Sequence, residues 1–346
     1  MSDKKRATPT VSIIIVNFNG LKHLNKCLSS VLKTEYSNFE IVLVDNGSSD
    51  GSVDYVKKNF AVERLKLIEL PQNRGFAEGN NSGVKKARGK YIVLLNNDTE
   101  VDSEWLTPLV NTMESDAGIG AAQPKILLMN RRNRFDSAGN FINLIGSSYA
   151  LGLLQVDKGQ FDSTNEIFYA KGAAMITTKT LWEELGGLDP ILFLSFEDTD
   201  FCWRIWRHGY RVVFVPASRI YHVGFASTSK VPEIKRFHDT KNRLMILLKN
   251  LDAKQLALYS PLIISSFMVE FLLSWLRRDG EARPILKGMG WVVLHFRKVW
   301  SRRVIARSQS EISSNDIMKK FLKAMPFLKR VETRTMYKTL KLGGII

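Results

Sequence analysis

The chain has 346 residues, 45% hydrophobic and 24% charged, enough for one large α/β domain with a smaller appendage and too apolar for a disordered chain. Its two cysteines, Cys27 and Cys202, stand far apart without CxxC spacing, which excludes a disulfide framework or cysteine zinc site and reads both as reduced core residues. The formal charge of +16 is uneven: from Val231 onward 23 Lys and Arg face 9 Asp and Glu, a surplus of +14, and the rest of the chain holds +2.

The first ten residues, MSDKKRATPT, are polar with no apolar run behind them. No secretory signal is expected, residues 1–8 read as a disordered N-terminus, and the expected location is cytoplasmic. Val11 to Val16 is a β-branched run, Asn17-Phe18-Asn19-Gly20 turns, and Leu21, Leu24, Leu28, Val31 and Leu32 recur at helical spacing. The pattern repeats with a strand from Phe39 to Val44, a turn Gly47 to Gly51 that starts a helix, and a strand from Leu65 to Leu70. After the loop Pro71 to Gly75 come a helix from about Phe76 to Ala87 and a fourth strand from Tyr91 to Leu95.

Continuous apolar strands alternating with helices predict a parallel sheet covered on both faces, with a ligand crevice at the carboxyl ends of the strands. From about residue 118 the rhythm loosens. Short strands are expected at Ile119 to Gln123 and Ile126 to Met129, then a polar stretch from Asn130 to Asn140. A helix from Lys179 to Leu185 precedes the turn Gly186 to Pro190, another starts near Glu197, and Tyr210 to Val215 and Arg219 to Val223 read as two short extended pieces.

No GxxxxGK[ST] sequence occurs, and Gly118-Ile-Gly120-Ala-Ala-Gln123 lacks the third glycine of a dinucleotide fingerprint, which disfavours a simple NTPase or a nicotinamide enzyme. Instead each of the first four strands ends on polar residues: Asn17 to Gly20, Asp45 to Ser48, Asn73-Arg74-Gly75 and Asn96-Asn97-Asp98. Asp45 can also be read as a cap for the following helix.

The ordered set SIIIVNFNG, EIVLVDNGSSDGS, NRGFAEGNN and LLNNDTE, followed by GGLDPILFLSFEDTDFCWR, resembles the family-2 glycosyltransferases over about residues 9 to 245. The resemblance implies a GT-A (Rossmann-like) α/β fold, a mostly parallel sheet covered by helices, with residues 246–346 as a C-terminal helical extension. It implies that Asp45 holds the nucleotide base, that Asn17 and Asn19 line the same pocket, and that Asn73, Arg74 and Asn97 belong to the nucleotide-sugar site. Asp98 would bind the Mg²⁺ or Mn²⁺ that bridges the donor's phosphates. Asn96 stands where the family usually has the first carboxylate of an Asp-x-Asp pair, and His222 in Tyr-His-Val-Gly is a second metal ligand by the same resemblance.

Asp198, at the start of a helix where capping is the alternative reading, would be the general base of an inverting hexosyltransferase. Glu197 would orient it or the acceptor. Asp200 is placed to pair with Arg204 at i+4, and Gly172 and Ala173 read as a close wall of the sugar site.

The C-terminal third holds an apolar stretch, Leu256 to Leu276, nearly long enough to cross a bilayer. Ser266, Glu270, Ser274, Arg277 and Glu281 make a polar stripe along it, which argues for a helix lying in an interface or packed on protein. Ile285 to Phe296 follows, and then Arg297-Lys298-Val-Trp300-Ser-Arg302-Arg303, basic residues with interleaved Trp that suit an anionic leaflet. The expected activity is transfer from a UDP-, dTDP- or GDP-sugar, with dTDP-rhamnose the first donor to try, onto a hydroxyl of a lipid-linked glycan at the inner face of the cell membrane. A homodimer is an alternative use of the tail, nucleic acid is not an expected partner, and a catalytically silent sugar-nucleotide-binding subunit is the rival function because of Asn96.

Overall fold

A computed structural model describes residues 10–224, 232–308 and 310–322, so the expected disordered residues 1–8 and the last part of the basic tail lie outside the described residues. The opening alternation is β1 (Val11–Asn17), α1 (Leu21–Leu32), β2 (Phe39–Asp45), α2 (Ser52–Asn59), β3 (Leu65–Glu69), α3 (Gly75–Val84) and β4 (Tyr91–Asn96). Then come β5 (Thr99–Val101), α4 (Leu106–Ser115), β6 (Ile119–Leu128), β7 (Arg131–Ser137), β8 (Asn140–Ile142), β9 (Ser148–Ala150) and β10 (Asn165–Glu166). The sheet closes with β11 (Ala174–Thr178), α5 (Lys179–Glu184), α6 (Glu197–Arg207) and β12 (Arg211–His222).

The main sheet runs β10-β12-β6-β11-β4-β1-β2-β3, with β5 on β12 and β7 on β6. Its β4-β1-β2-β3 half is parallel, and β11 enters antiparallel between β4 and β6. Side chains alternate across the sheet. Ile13, Ile15, Ile41, Leu43 and Val93 meet Leu24, Leu28, Leu106 and Leu109 of α1 and α4, while Ile14, Val42, Val44, Ile92 and Leu94 belong to the layer with Val84 of α3 and Phe201 of α6. Both faces are therefore covered, which is why these strands read as unbroken apolar runs.

Two pairs of expected strands are each one strand. β6 runs through Pro124 and β12 through Pro216, and the register between them shifts at Val215/Arg219. Prolines are tolerated at such irregularities because no ladder N–H is needed there. The expected polar stretch from Asn130 is also structured, as β7. Both cysteines are buried and free.

Beyond the sheet lie α7 (Pro232–Asn250), α8 (Ala253–Arg277), α9 (Ala282–Leu294), α10 (Phe296–Ser308) and α11 (Ser314–Leu322). The boundary expected at residue 245 falls inside α7. Lys249 of that helix pairs with Asp189 at 3.0 Å and Asp200 at 2.9 Å, and Asn250 donates to Asp200. Arg303 of α10 donates to the carbonyls of Leu248 and Leu251, and Phe321 of α11 packs edge-on against Phe168 and Trp206. The extension is thus joined to the sheet domain through buried ion pairs and a shared aromatic core.

Candidate active site

Register places the first site residues side by side: Asn17 pairs with Asp45 across β1 and β2, and Val16 with Asn96 across β1 and β4. Asn17 is buried; its amide donates to Asp45 Oδ1 at 3.1 Å, and its Oδ1 accepts from Asn97 Nδ2 at 2.7 Å. Asp45 Oδ2 accepts the Ser48 amide, which ties the carboxylate to its own turn. The start of α2 is met instead by Asp50, which accepts from Ser52 N and, with its other oxygen, from Leu21 N of α1. Asn19, at φ 49°, accepts the Ser49 amide at 2.8 Å. Asn17, Asn19, Asp45 and Asn97 therefore form one continuous polar floor at the strand ends.

Asn46 extends it and was not singled out from the sequence. Its amide donates to Asn73 Oδ1 and the Gly75 carbonyl, and its Oδ1 accepts the Arg74 amide. Asn73 is spent within this turn, also accepting from Gly75 N, and Arg74 projects exposed beside it. Gly75 has φ 83°, and a Cβ there would come within 2.6 Å of Phe193, so the turn can press on the loop before α6 only with glycine.

The second cluster is charged and buried. His222 Nε2 lies 3.2 Å from Asp98 Oδ1, and its Nδ1 donates to Asp136 Oδ2 at 2.8 Å. The first contact is off-line, so both Asp98 oxygens, together with Asn96 Oδ1, lack hydrogen-bond partners among the described residues. Burial pushes the Asp98 carboxyl up, but the facing imidazole outweighs it and holds it below the usual range. Burial pushes His222 down, and the two carboxylates raise it to about 9. Asp136 also accepts from Lys171 Nζ at 2.5 Å.

The orphaned Asp98 oxygens beside an imidazole nitrogen suit a divalent cation, and the Asn96 side chain, whose Nδ2 lies 3.4 Å from His222 Nε2, borders the same spot. Asp136, on the far side of His222, fixes the orientation of the ring, as a carboxylate commonly does behind a metal-binding histidine. No group of three or more His, Cys, Asp or Glu could hold a metal by itself among the described residues, consistent with a cation that takes its remaining ligands from phosphate and water. Asp136 was not predicted, because β7 (Arg-Arg-Asn-Arg-Phe-Asp-Ser) has no apolar alternation to mark its inward residues.

The third cluster is Glu197 and Asp198 at the start of α6. Asp198 Oδ2 accepts the Gly172 amide at 2.8 Å, and Oδ1 accepts the amide and hydroxyl of Thr199. Burial raises both carboxyls; Glu197 goes well above the usual range and is raised further by Asp198, whereas the bonds from Gly172 and Thr199 favour the charged form of Asp198. Environments that separate two neighbouring carboxylates assign them different roles. Asp198 is the member that backbone and hydroxyl donors direct.

Gly172 faces Asp198 and Phe76, and Ala173 is buried with its carbonyl accepting the Asn96 amide. One loop, Lys171-Gly172-Ala173, therefore touches the carboxylate at α6, the Asp136–His222 pair and the end of β4. Asp200 does pair with Arg204, at 3.0 Å, and points into the core.

Glu197 Oε2 has no hydrogen-bond partner among the described residues. Its raised folded pKa means that the charge opposes folding increasingly as pH climbs above the unfolded value of about 4.3. Glu197→Gln is expected to raise the unfolding midpoint by several degrees at pH 8, with the gain shrinking towards pH 4, as read by calorimetry. An equal midpoint shift at both pH values would contradict a buried charge at this position.

The loop before α6 is strained: Phe193, Ser195 and Phe196 have φ of 59°, 69° and 70°, a conformation disfavoured for side chains of this size. Asn242 of α7 holds it, its amide lying 2.7 to 2.8 Å from the carbonyls of Leu192, Leu194 and Ser195. Asn242→Ala is expected to lower turnover about tenfold by loosening the helix start that directs Asp198, with donor KM nearly unchanged. A change confined to KM would show that the clamp serves donor binding instead.

Residues 12–183 match the family model described as glycosyl transferase family 2. An uncharacterized glycosyltransferase of Haemophilus influenzae is 31% identical over 153 residues, 44% of this chain and 58% of its own length. The poly-beta-1,6-N-acetyl-D-glucosamine synthase of Staphylococcus aureus is 25% identical over 208 residues, 60% of this chain and 48% of its own. The chain spans from 25% to 58% of the length of such curated relatives. Among solved structures, GalNAc-T7 with UDP, GalNAc and Mn²⁺ has the same fold, with a TM-score of 0.60 at 22% identity over 73% of this chain and 50% of that one.

Proposed function

We propose that this chain, whose residues 12–183 carry a family-2 glycosyltransferase domain on a GT-A scaffold, moves a sugar from a nucleoside diphosphate to an acceptor hydroxyl with inversion. The observation that carries the reading is the loop Lys171-Gly172-Ala173, which links the Asp198 carboxylate to the Asp98–His222 cluster. Base and phosphate-binding groups are thus held by one short backbone segment.

Asn17, Asn19, Asp45 and Asn97 receive the nucleotide, with Arg74 beside the base or diphosphate. Asp98 and His222, beside the Asn96 side chain, would hold a Mg²⁺ or Mn²⁺ ion, which supplies charge neutralisation at the diphosphate. Asp198 accepts the proton of the acceptor hydroxyl as its oxygen bonds the anomeric carbon. The bond to the diphosphate oxygen breaks on the opposite face, and its electron pair leaves with the nucleoside diphosphate. A single displacement inverts the anomeric centre.

The donor panel is UDP-, dTDP- and GDP-sugars, with dTDP-rhamnose first. A glycan acceptor is supported by the polymer made by the S. aureus relative, and a lipid carrier for it by the basic extension. The test is nucleoside diphosphate release and product anomer by NMR across that panel, with Mn²⁺ or EDTA. Donor binding without turnover by any donor, with retained anomers absent too, would favour the rival reading of a silent sugar-nucleotide-binding subunit, for which Asn96 is the motivating residue.

A further inference from the structure

Helix α8 is built inside out for a protein in water. The side it turns to the rest of the chain carries Glu270 and Ser274 as well as Ile263 and Phe267. Glu270 accepts from Arg236 at 3.0 Å and Arg243 at 2.9 Å, both on α7, and the Arg243 guanidinium lies 3.8 Å over the Phe267 ring. The polar stripe read from the sequence is thus used up in contacts within the protein, apart from Arg277, which is exposed.

The outward side is apolar over most of its length, interrupted by Ser265: Leu258, Leu262, Val269, Leu272, Trp275 and Leu276 are between 45% and 70% exposed. Val293 and Leu294 at the end of α9 are 75% and 84% exposed. A contiguous face of this kind marks an interaction surface.

Charge selects its occupant. Arg277, Arg278, Arg283, Lys287, Arg297 and Lys298 are all exposed around the ends of these helices. Of the acidic residues in the same stretch, Glu270 is turned inward as above, while Glu281 pairs with Arg236 and Asp279 accepts from Ser274. A two-fold dimer through α8 would set this basic rim against its own copy, since an isologous contact pairs a patch with itself. An anionic lipid leaflet instead offers acyl chains to the apolar stripe, phosphates to the arginines and an interfacial position to Trp275.

By length and composition α8, 25 residues long, could cross a membrane. Crossing would carry Glu270 and its two arginines into hydrocarbon or break them apart, because α7 is anchored to the sheet domain through Lys249 and Asn250. We infer that α8 lies in the plane of an anionic lipid leaflet, its Leu258–Leu276 stripe among the acyl chains and its basic rim at the headgroups. The α7 helix that anchors it also carries Asn242, the clamp of the loop before Asp198, so the catalytic centre stands one helix from the lipid. That the acceptor is carried by the same leaflet rests on the transfer reading above; lipid binding by α8 does not.

The test uses the full-length protein with phosphatidylcholine vesicles containing or lacking phosphatidylglycerol. Wild-type protein is expected to co-sediment with the anionic vesicles at least tenfold more strongly than with neutral ones. The double variant Val269→Glu/Leu272→Glu, at two exposed positions, is expected to lose that binding at least tenfold while keeping its unfolding midpoint and its turnover of donor with a soluble acceptor. In reconstituted vesicles Trp275 fluorescence is expected to be quenched by lipids brominated near the headgroup more than by those brominated at the chain ends. The inference fails if wild type ignores anionic vesicles, if the double variant binds them equally well, if chain-end bromines quench best, or if wild type is a dimer in solution that the same variant converts to monomer without vesicle binding. Donor turnover is measured on the same samples, so failure of either reading is seen separately.

Discussion

Asp198→Asn is expected to lower kcat by about 10²–10⁴-fold while donor KM stays within about threefold, the range for removing a positioned general base. The carboxylate is already directed: Gly172 N and Thr199 fix both oxygens from the protein side and leave lone pairs for an acceptor proton. Asparagine keeps the volume but replaces one oxygen by a group that cannot accept a proton, so the loss falls on the chemical step. Glu197→Gln, at a carboxyl that burial and Asp198 push well above the usual range, is expected to cost far less. In the pH profile the acidic limb of kcat/KM lies above that of an ordinary aspartate, because burial raises Asp198 and the base works only when ionised. Measurement is by nucleoside diphosphate release with saturating acceptor. Full activity in Asp198→Asn removes the base assignment, and the inverted order of the two variants transfers it to Glu197.

Asp98→Asn is expected to weaken Mn²⁺ binding by at least a hundredfold and to abolish metal-dependent donor binding. Its two oxygens are buried without hydrogen-bond partners among the described residues and face the His222 ring, and a hard cation takes little else from the protein. His222→Ala should behave similarly. Asp136→Asn acts through the ring it orients, and about 10- to 100-fold in metal affinity is the usual cost of losing such a partner. Titration calorimetry with Mn²⁺, alone and with nucleoside diphosphate, reads all three. Unchanged donor affinity in EDTA would remove the metal role from this cluster and leave Asp98 and His222 as a structural ion pair.

The polar residues at the ends of the first four strands were legible because the parallel half of the sheet is regular. Each strand is a continuous apolar run, so its end is marked in the sequence, and neighbouring ends such as Asn17 and Asp45 are brought level by in-register pairing. The i+4 pair of Asp200 and Arg204 was legible because it lies within one helix. Asp136 and Asn242 were not. Asp136 sits on a strand whose polar sequence shows no buried side, and Asn242 reaches the base loop from a helix nearly fifty residues on, by hydrogen bonds to backbone carbonyls that carry no side-chain signature. The same limit joined two pairs of expected strands into β6 and β12, since a proline opposite a register shift costs nothing that the sequence can register.

By itself the sequence determined the α/β alternation, the polar strand ends and the amphipathic stripe of α8, all of which follow from local periodicity. Only the tertiary structure decided which way that stripe faces, and that Lys171 to Ala173 joins Asp198 to the Asp98–His222 cluster. Those facts depend on partners distant in the chain: Arg236 and Arg243 draw Glu270 inward, and Asp136 and Asp198 meet adjacent residues of one loop. Periodicity gives a helix two faces; the charge of what packs against it selects the face turned outward.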